Sequence, residues 1–214
     1  MSRTRIKICG VRDLDTALHA IDAGADALGF VFAKASPRYI DPRLAFQIMG
    51  AMPPMATTIG LFVDASIEQY MKIERLCPTD YAQLHGRESE HVVSACGPRV
   101  IKAVRFDPET IAHELERWSN IPEVDAILVD GSTGGQGVAF DWTALAAARD
   151  AAQGVPIFLA GGLTPENVGE AIAAAHPYAV DVSSGVEIPG EPGVKDPDRV
   201  EAFCAAVREA DARV

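Results

Sequence analysis

Eight short apolar segments alternate with segments of helical pattern along the whole chain, and this alternation restricts the fold more than any other feature. Several of the apolar segments are continuous, as in 126–129, and polar residues appear only at their ends. Strands buried on both faces have this pattern, because helices cover both sides of a parallel sheet. The predicted strands are Arg5–Cys9, Ala27–Phe32, Thr57–Val63, Tyr81–His85, Val100–Phe106, Ala126–Asp130, Pro156–Ala160 and Ala179–Ser183.

The segments between these strands have the apolar spacing and the capping residues of helices. Segment 13–23 places apolar residues three and four positions apart, and segment 141–152 is rich in alanine. Thr164 followed by proline predicts the start of another helix. Asp196 followed by proline predicts the start of the last one, because such pairs favour the cap and the first helical turn.

Eight strand–helix units in a chain of 214 residues favour an α/β fold, a single (β/α)₈ TIM barrel with parallel strands. The alternative, an open doubly wound sheet, lacks support because no Gly-x-Gly-x-x-Gly motif follows the first strand. No linker divides the chain, so we expect residues 1–214 to form one domain. The longest irregular segments follow strands, where a barrel carries its binding loops; they are Ala33–Tyr39, Gly131–Phe140 and Glu187–Lys195.

Charge and cysteine spacing argue against several classes of protein. The net charge is −11 and no cluster of Lys or Arg appears, so we expect no nucleic-acid partner. No segment approaches the roughly 18 apolar residues of a membrane span, and no signal-peptide pattern opens the chain, so we expect a cytoplasmic protein with no membrane partner. The four cysteines have no metal-binding or Cys-x-x-Cys spacing, and we expect neither a metal nor a cofactor.

Lys7 and Cys9 share the face of the first strand that we expect to point into the barrel, while Ile6 and Ile8 face the helices. Cys9 would lie at the barrel mouth, where a neighbouring ammonium would lower the pKa of its thiol. A lone cysteine is more often a small buried apolar residue. The buried lysine beside it favours a functional role, because a buried lysine is rare without one.

Asp130 ends the apolar run of the sixth strand, where loss of water would raise the pKa of its carboxyl and suit it to a general acid. An alternative is that Asp130 pairs with Lys7 or caps a loop. Lys7 has a second possible partner in Asp181, on the eighth strand.

Small residues follow the last two strands, as Gly161–Gly162 and as Ser183–Gly185. Small residues let a ligand approach the backbone, and successive backbone amides can hold an anion. Barrels often bind phosphate after strands seven and eight, so we predict a phosphate site here, with ordinary tight turns as the alternative. Because strand eight adjoins strand one in a closed barrel, Cys9 and Asp130 would flank this site.

Three further polar residues lie after a predicted strand or at its end. Arg38 could bind a carboxylate with its planar guanidinium, or it could be a solvated loop residue. Gln83 and His85 share one face at the end of the fourth strand, where they could line the pocket or hydrogen-bond to each other.

These residues stand in a set of motifs that resembles the phosphoribosylanthranilate isomerase family, in order and over nearly the whole chain. The loop before Trp142 departs from the family pattern at Gln136, Val138 and Ala139. The motifs are Lys7–Gly10, Ser36–Arg38, Gln83–Gly86, Leu128–Asp130, Gly134–Trp142, Leu159–Leu163, Val180–Glu187 and Gly193–Asp196.

The resemblance implies an Amadori rearrangement in tryptophan biosynthesis. The aminoaldose N-(5-phosphoribosyl)anthranilate becomes the aminoketose 1-(2-carboxyphenylamino)-1-deoxyribulose 5-phosphate, without a metal or redox cofactor. The partner implied is this small phosphorylated aminosugar, and the chain is expected to be a monomer or a homodimer.

The resemblance also implies roles for individual residues. Asp130 is the general acid that opens the furanose ring, Cys9 is the general base that removes the C2 proton, and Arg38 binds the anthranilate carboxylate. The phosphate is held by Gly161, Gly162, Ser184 and Gly185, and the further substrate-binding candidates are Lys7, Gln83, His85, Asp181 and Ser183.

Two kinds of alternative remain at this point. One is another phosphate-binding barrel enzyme, such as indoleglycerol phosphate synthase, whose family usually has more catalytic lysines, or a sugar isomerase that uses two aspartates. The other is a binding protein that kept the phosphate site and lost its chemistry. The presence of both Cys9 and Asp130 argues against this last alternative.

Overall fold

Eight parallel strands, each followed by a helix, close into a barrel in the computed structural model, which describes residues 3–131 and 141–213. Each strand pairs with the next along the chain, and the last strand pairs with the first. The strands are β1 Arg5–Cys9, β2 Ala27–Val31, β3 Thr57–Phe62, β4 Tyr81–Leu84, β5 Val100–Arg105, β6 Val124–Asp130, β7 Ile157–Ala160 and β8 Ala179–Val182. The predicted fold class is therefore confirmed.

The helices lie outside the strands, and two short 3₁₀ turns accompany them. The helices are α1 Leu14–Ala23, α2 Pro42–Ala51, α3 Ile67–Leu76, α4 Glu90–Ala95, α5 Ile111–Ser119, α6 Trp142–Ala148, α7 Val168–Ala175 and α8 Pro197–Asp211; the 3₁₀ turns are Arg149–Ala152 and Ser184–Val186. Among the described residues, no helix has both the length and the apolar character needed to cross a membrane.

The predicted strands are all present, and they differ from the observed ones only at their ends. Five of them end one residue earlier than predicted, at Val31, Phe62, Leu84, Arg105 and Val182, and β7 begins one residue later. β6 begins two residues earlier, at Val124. Here the register with β5 shifts so that Asp125 is left out of the ladder, and this bulge interrupts the apolar pattern.

Aspartate caps begin several helices where the sequence predicts them. Asp13 accepts a hydrogen bond from the Thr16 amide, and Asp196 accepts from the amides of Asp198 and Arg199. The predicted helix over 141–152 is an α-helix only to Ala148 and continues as a 3₁₀ turn.

The helix predicted to begin at Thr164 begins instead at Val168, so this boundary was wrong. The Asn167 side chain accepts from the Thr164 amide at 2.8 Å and donates to the Gly162 carbonyl at 2.8 Å. Thr164 O also accepts from the amides of Asn167 and Val168, and Thr164 Oγ1 accepts from that of Glu166, so segment 164–167 forms a capping turn that precedes the regular helix.

Apolar side chains form two layers on either side of the strands. The larger layer lies between strands and helices and includes Ile6 and Ile8, as predicted. The smaller layer fills the barrel interior with Ala27, Ile59, Ile101, Ala103, Ala126, Leu128 and Ala160. Cys9 lies above it with Val31 and Leu61, so the predicted placement of Cys9 at the barrel mouth is confirmed.

Two of the three long loops predicted at the mouth are described by the structure. Loop 187–195 folds back on itself: the Ile188 amide donates to Val194 O and the Asp196 amide to Val186 O, each at 2.9 Å. Glu187 and Lys195 pair as an antiparallel bridge at the base of this loop, which we call the β8 hairpin. Of the third loop, 131–140, all but Gly131 lies outside the described residues, as does most of the Gly134–Trp142 motif.

Candidate active site

A cleft of about 490 Å³ opens at the carboxyl ends of the strands, where a (β/α)₈ barrel carries its chemistry. Ten of the twelve predicted site residues line it: Cys9, Arg38, Gln83, His85, Asp130, Gly161, Gly162, Asp181, Ser183 and Ser184. The other two adjoin it. Lys7 is the next inward-facing residue below Cys9 on β1 and bonds to Asp181, and Gly185 follows Ser184.

Lys7 pairs with Asp181 and not with Asp130, which resolves the alternatives left open by the sequence. Its ammonium lies 2.8 Å from Asp181 Oδ1, and the two residues are partners in the β1–β8 ladder. Burial opposes the charge of Lys7, but Asp181 and then Cys9 outweigh this effect and raise the pKa of the ammonium. Lys7 is therefore charged beneath the thiol at neutral pH.

The pKa of the Cys9 thiol is raised above its ordinary value, although the ammonium of Lys7 lowers it as predicted. Burial is the largest cause, since Cys9 is only 4% exposed, and the ammonium groups of Lys7 and Lys195 offset only part of it. Asp181, which holds Lys7 in place, also disfavours a second negative charge nearby. Loss of water therefore outweighs the favourable charges, and Cys9 is mainly a thiol at neutral pH.

Asp130 is buried at the end of β6 and contacts His85, with Asp130 Oδ2 3.2 Å from His85 Nε2. Gln83 and His85 both line the cleft and hydrogen-bond to each other, at 2.8 Å between Gln83 Nε2 and His85 Nδ1. An amide nitrogen can only donate, so Nδ1 accepts and the ring proton of neutral His85 lies on Nε2, toward Asp130. The histidine therefore favours a defined orientation of the carboxyl group.

One glycine in each of the turns after β7 and β8 packs so closely against its neighbours that no other residue fits at that position. Gly161 has a φ of +88°, and a Cβ there would lie 2.5 Å from Asp130 Oδ1. A Cβ at Gly185 would overlap the Leu163 carbonyl oxygen. The two turns therefore form one continuous backbone surface beside Asp130.

Arg38 is held by a partner that sequence reasoning missed. Its Nε and Nη2 lie 2.6 and 2.8 Å from the two carboxylate oxygens of Glu187, and its side chain is only 15% exposed. The alternative of a solvated loop arginine is therefore wrong. Glu187 also contacts Lys195 Nζ at 3.0 Å. Glu187 and Lys195 both fall within the family motifs, and their position after the eighth strand could have identified them as site residues.

Lys102, which sequence reasoning also missed, holds the loop after β4 in place. Lys102 Nζ lies 2.8 Å from Glu88 Oε2, 2.8 Å from Gly86 O and 3.2 Å from Leu84 O, and both charged side chains are buried. Glu88 in turn accepts from the Gly86 amide. This pair lies on the helix side of the barrel, and it secures the segment on both sides of His85.

Among the described residues, no group of three or more His, Cys, Asp or Glu side chains could hold a metal ion. The expectation that the chain uses neither a metal nor a cofactor stays a prediction.

A barrel whose mouth brings together a buried thiol, a buried carboxyl group and two small-residue turns is typical of phosphate-binding (β/α)₈ enzymes that use acid–base chemistry. The comparisons identify which family of this class is involved. A family model described as N-(5'-phosphoribosyl)anthranilate (PRA) isomerase matches residues 6–206. The chain belongs to this family, and the resemblance identified from the sequence is confirmed.

Individual relatives agree along the whole chain. The N-(5'-phosphoribosyl)anthranilate isomerase of Moorella thermoacetica is 46% identical over 211 residues, which cover 97% of this chain and 91% of the relative. That of Magnetococcus marinus is 45% identical and covers 96% of each chain. The crystal structure of the phosphoribosyl anthranilate isomerase of Thermotoga maritima superposes with a TM-score of 0.86 at 39% identity, covering 96% of this chain and 99% of the other.

Proposed function

We propose that this cleft binds N-(5-phosphoribosyl)anthranilate and that Asp130 and Cys9 catalyse its rearrangement as general acid and general base. The chain is an aldose–ketose isomerase of tryptophan biosynthesis, and the reaction is the Amadori rearrangement to 1-(2-carboxyphenylamino)-1-deoxyribulose 5-phosphate. A solved relative, 37% identical with a TM-score of 0.82, holds the reduced form of this product. The observation that supports the residue roles is that Cys9 and Asp130 line one cleft with the turns after β7 and β8.

Asp130 performs the first step of the proposed mechanism. Its carboxyl proton passes to the furanose ring oxygen, the bond from C1 to that oxygen breaks, and the nitrogen lone pair forms the C1–N double bond of an iminium ion. The contact with His85 supports this role, because His85 Nε2 lies against Asp130 Oδ2 and holds the carboxyl group where it lines the cleft.

Cys9 performs the second step. Its thiolate removes the proton from C2, and the electrons of that bond form the C1–C2 double bond while the iminium nitrogen becomes neutral. The enolamine then tautomerises: the C2 hydroxyl loses its proton, C1 gains one, and the ketone forms. Because the pKa of Cys9 is raised, only a small fraction of Cys9 is thiolate at neutral pH, but this thiolate is a stronger base. The cationic iminium makes the C2 proton acidic enough for the thiolate to remove.

The turns after β7 and β8 provide the phosphate site in this proposal. The chain carries a net charge of −11, so an anionic substrate needs local donors, and the backbone amides of Gly162 and Ser184 are suitable donors. A phosphate anchored there holds the reacting carbons near both catalytic groups, which accelerates the reaction by positioning.

In this proposal Gln83 binds the ribose of the substrate and Arg38 binds its anthranilate. Gln83 is fully buried, and within the described part of the chain its Oε1 has no hydrogen-bond partner. This oxygen is therefore suited to accept from a ribose hydroxyl. Arg38 lines the cleft and binds the anthranilate carboxylate, a charged group that a guanidinium recognises well. Lys7, Asp181 and Ser183 support the site from beneath, around Cys9.

The decisive test of this function is a turnover assay. Purified protein is mixed with freshly formed N-(5-phosphoribosyl)anthranilate, and the anthranilate fluorescence is followed. Rapid loss of fluorescence is the expected result. Binding of inorganic phosphate without loss of fluorescence would contradict the proposal and would favour a barrel that only binds.

Domain organisation and assembly form a second, smaller proposal. We propose that residues 1–214 act as one barrel domain, since closure needs the first and the last strand, and that the chain forms a homodimer in the cytoplasm. One relative, 36% identical, is described as monomers generated from a dimeric enzyme of Thermotoga maritima. Met55 is 98% exposed beside a cavity of about 270 Å³ at the other end of the barrel, where a second copy would cover it. Light scattering tests this state against a monomer.

The four cysteines support the cytoplasmic location, because all are unpaired and buried, as suits a reducing compartment. Fractionation of cells that produce the chain tests this location.

A further inference from the structure

Glu187 lies between the buried ammonium of Lys195 and the partly buried guanidinium of Arg38, beside the active-site cleft. Its Oε1 lies 2.6 Å from Arg38 Nε and 3.0 Å from Lys195 Nζ, and its Oε2 lies 2.8 Å from Arg38 Nη2. The side chains of Glu187 and Lys195 are 6% and 2% exposed. One carboxylate therefore serves two cations, and its removal would leave both without this partner.

The charge of Glu187 is secured by these contacts. Burial alone would raise the pKa of its carboxyl group, but the hydrogen bonds and charges of Arg38 and Lys195 outweigh burial and hold that pKa below its ordinary value. Conversely, burial lowers the pKa of Lys195, Glu187 and Cys9 oppose this effect, and the charge of Arg38 adds to it. Glu187 thus keeps two mutually repelling cations together.

Both ends of the Arg38–Glu187 pair are fixed. Glu187 begins the β8 hairpin, which backbone hydrogen bonds close, and Lys195 at the other end of that hairpin donates to Ser183 O at 3.0 Å. The aliphatic part of Arg38 packs on Gly10, where a Cβ would lie 2.9 Å from Arg38 Cδ. The guanidinium therefore has little freedom to choose another orientation.

Arg38 lines the active-site cleft, and Glu187 does not. Arg38 lines both the active-site cleft and a neighbouring groove formed by the β8 hairpin, whereas Glu187 lines that groove. Glu187 occupies the Nε and Nη2 sides of the guanidinium. A guanidinium carries five N–H donors, so those on Nη1 are left for a ligand.

We propose that Glu187 is a positioning residue that directs the Nη1 side of Arg38 toward the aromatic carboxylate of the substrate. Through Arg38 it makes the enzyme selective for aminoaldoses that carry this carboxylate. The inference rests on the carboxylate-binding role proposed above for Arg38. Glu187 itself touches neither the substrate nor the reacting atoms.

Two substrates separate this role from a purely structural one: N-(5-phosphoribosyl)anthranilate and the corresponding phosphoribosyl aniline, which lacks the carboxylate. For Glu187→Gln we expect kcat/KM for the anthranilate substrate to fall by about 10- to 100-fold, mainly through KM, because a charge-assisted contact is misdirected. For the aniline substrate we expect a smaller fall, since no contact to Arg38 is lost and only the effect on Cys9 through Lys195, which both substrates share, remains. The ratio of the two kcat/KM values should therefore fall by about tenfold or more. A similar fall for both substrates, or no fall for either, would overturn the inference.

Arg38→Ala and the double variant Arg38→Ala/Glu187→Gln complete a cycle of four proteins. If Glu187 acts on selectivity through Arg38, the second substitution leaves the ratio of kcat/KM for the two substrates unchanged once Arg38 is gone. Additive losses would mean an independent structural role and would also overturn the inference.

The same cycle separates failure of this inference from failure of the proposed function. If Arg38→Ala does not distinguish the two substrates, the carboxylate-binding role of Arg38 is wrong. If Arg38→Ala distinguishes them and Glu187→Gln does not, only the positioning role is wrong. Should Glu187→Gln fail to fold, Glu187→Asp keeps the charge but is one methylene too short to bind both nitrogens of Arg38. It should then lose activity with the anthranilate substrate only, and an equal loss with both substrates would overturn the inference.

Discussion

The ammonium of Lys7 and the carboxylate of Asp181 lie 2.8 Å apart inside the barrel, as partners in the β1–β8 ladder. Burial is the main reason why the pKa of the Cys9 thiol above this pair is raised, and Asp181 weakens the opposing effect of Lys7. The positive charge of Lys7 favours a thiolate on Cys9, but Asp181 counters it and burial disfavours any charge there. The thiol is consequently protonated in the resting enzyme, and the amount of thiolate depends on pH.

Alkylation of Cys9 by iodoacetamide should accelerate as the pH rises above neutrality. Only the thiolate reacts, so this rate follows loss of the thiol proton, whose pKa is raised. Turnover does not isolate this pKa, because the proposed mechanism also needs a proton on Asp130. Lys195 is one of the groups that lower the pKa of Cys9, so Lys195→Met should move the rise of the alkylation rate to higher pH. The exposed Lys72→Met is a matched control that should leave it in place. An unmoved rise in Lys195→Met would contradict this effect of Lys195.

Acid should weaken the fold through Glu187. Its pKa is lower in the folded chain than in the unfolded chain, where a glutamate titrates near about 4.3. The carboxylate thus contributes stability that is fully present above this value and is lost as the pH falls through the lower folded pKa. Urea unfolding of the wild type and of Glu187→Gln between pH 7 and pH 3 measures this effect. The difference between them should shrink over that range, and a difference independent of pH would exclude a charged Glu187.

The buried pair of Lys102 and Glu88 should be costly to break. Lys102→Met leaves Glu88 charged and buried, and such a change typically costs about 3–5 kcal/mol in the free energy of unfolding. Lys102→Met combined with Glu88→Gln removes both charges, keeps an acceptor for the amides of Gly86 and Asp64, and should recover most of that loss. Denaturant unfolding of both variants checks this expectation, and a single variant as stable as the wild type would contradict it.

Position 185 in the turn after β8 should tolerate no side chain. In Gly185→Ala the added Cβ meets the Leu163 carbonyl, so the turns after β7 and β8 must separate. We expect the inhibition constant of inorganic phosphate to rise at least about tenfold, because an anion site depends on the positions of its amides. Gly50→Ala is the control, since a Cβ there meets nothing within 4 Å. An unchanged inhibition constant in Gly185→Ala would place the phosphate elsewhere.

The strands and the location of the site were predictable because they depend on local pattern. A doubly buried parallel strand needs a continuous apolar run, and the carboxyl ends of such strands meet at one edge, which gathers Cys9, His85 and Asp130. The start of α7 was missed because Thr164 and Asn167 close a turn of their own before the regular helix begins, and the capping pattern does not show where that turn ends.

The electrostatics of the site were less predictable, because they depend on distant residues. Arg38 and its partner Glu187 are 149 positions apart in the chain, and the hairpin that brings them together has no local signature. The direction of the Cys9 pKa depends on how completely water is excluded relative to the nearby charges, a balance that only the packed structure reveals.

In the proposed mechanism Cys9 is the base and Asp130 is the acid. The most direct test measures turnover of freshly formed N-(5-phosphoribosyl)anthranilate by Cys9→Ala, by Asp130→Asn and by the wild type. Phosphate affinity is measured in all three proteins. We expect each variant to lose at least about 10²- to 10⁴-fold in kcat, since a positioned acid or base contributes that much. Phosphate affinity should stay within about twofold, because neither side chain belongs to the turns proposed to hold the phosphate. Turnover near the wild-type rate in either variant would contradict the assignment of that residue.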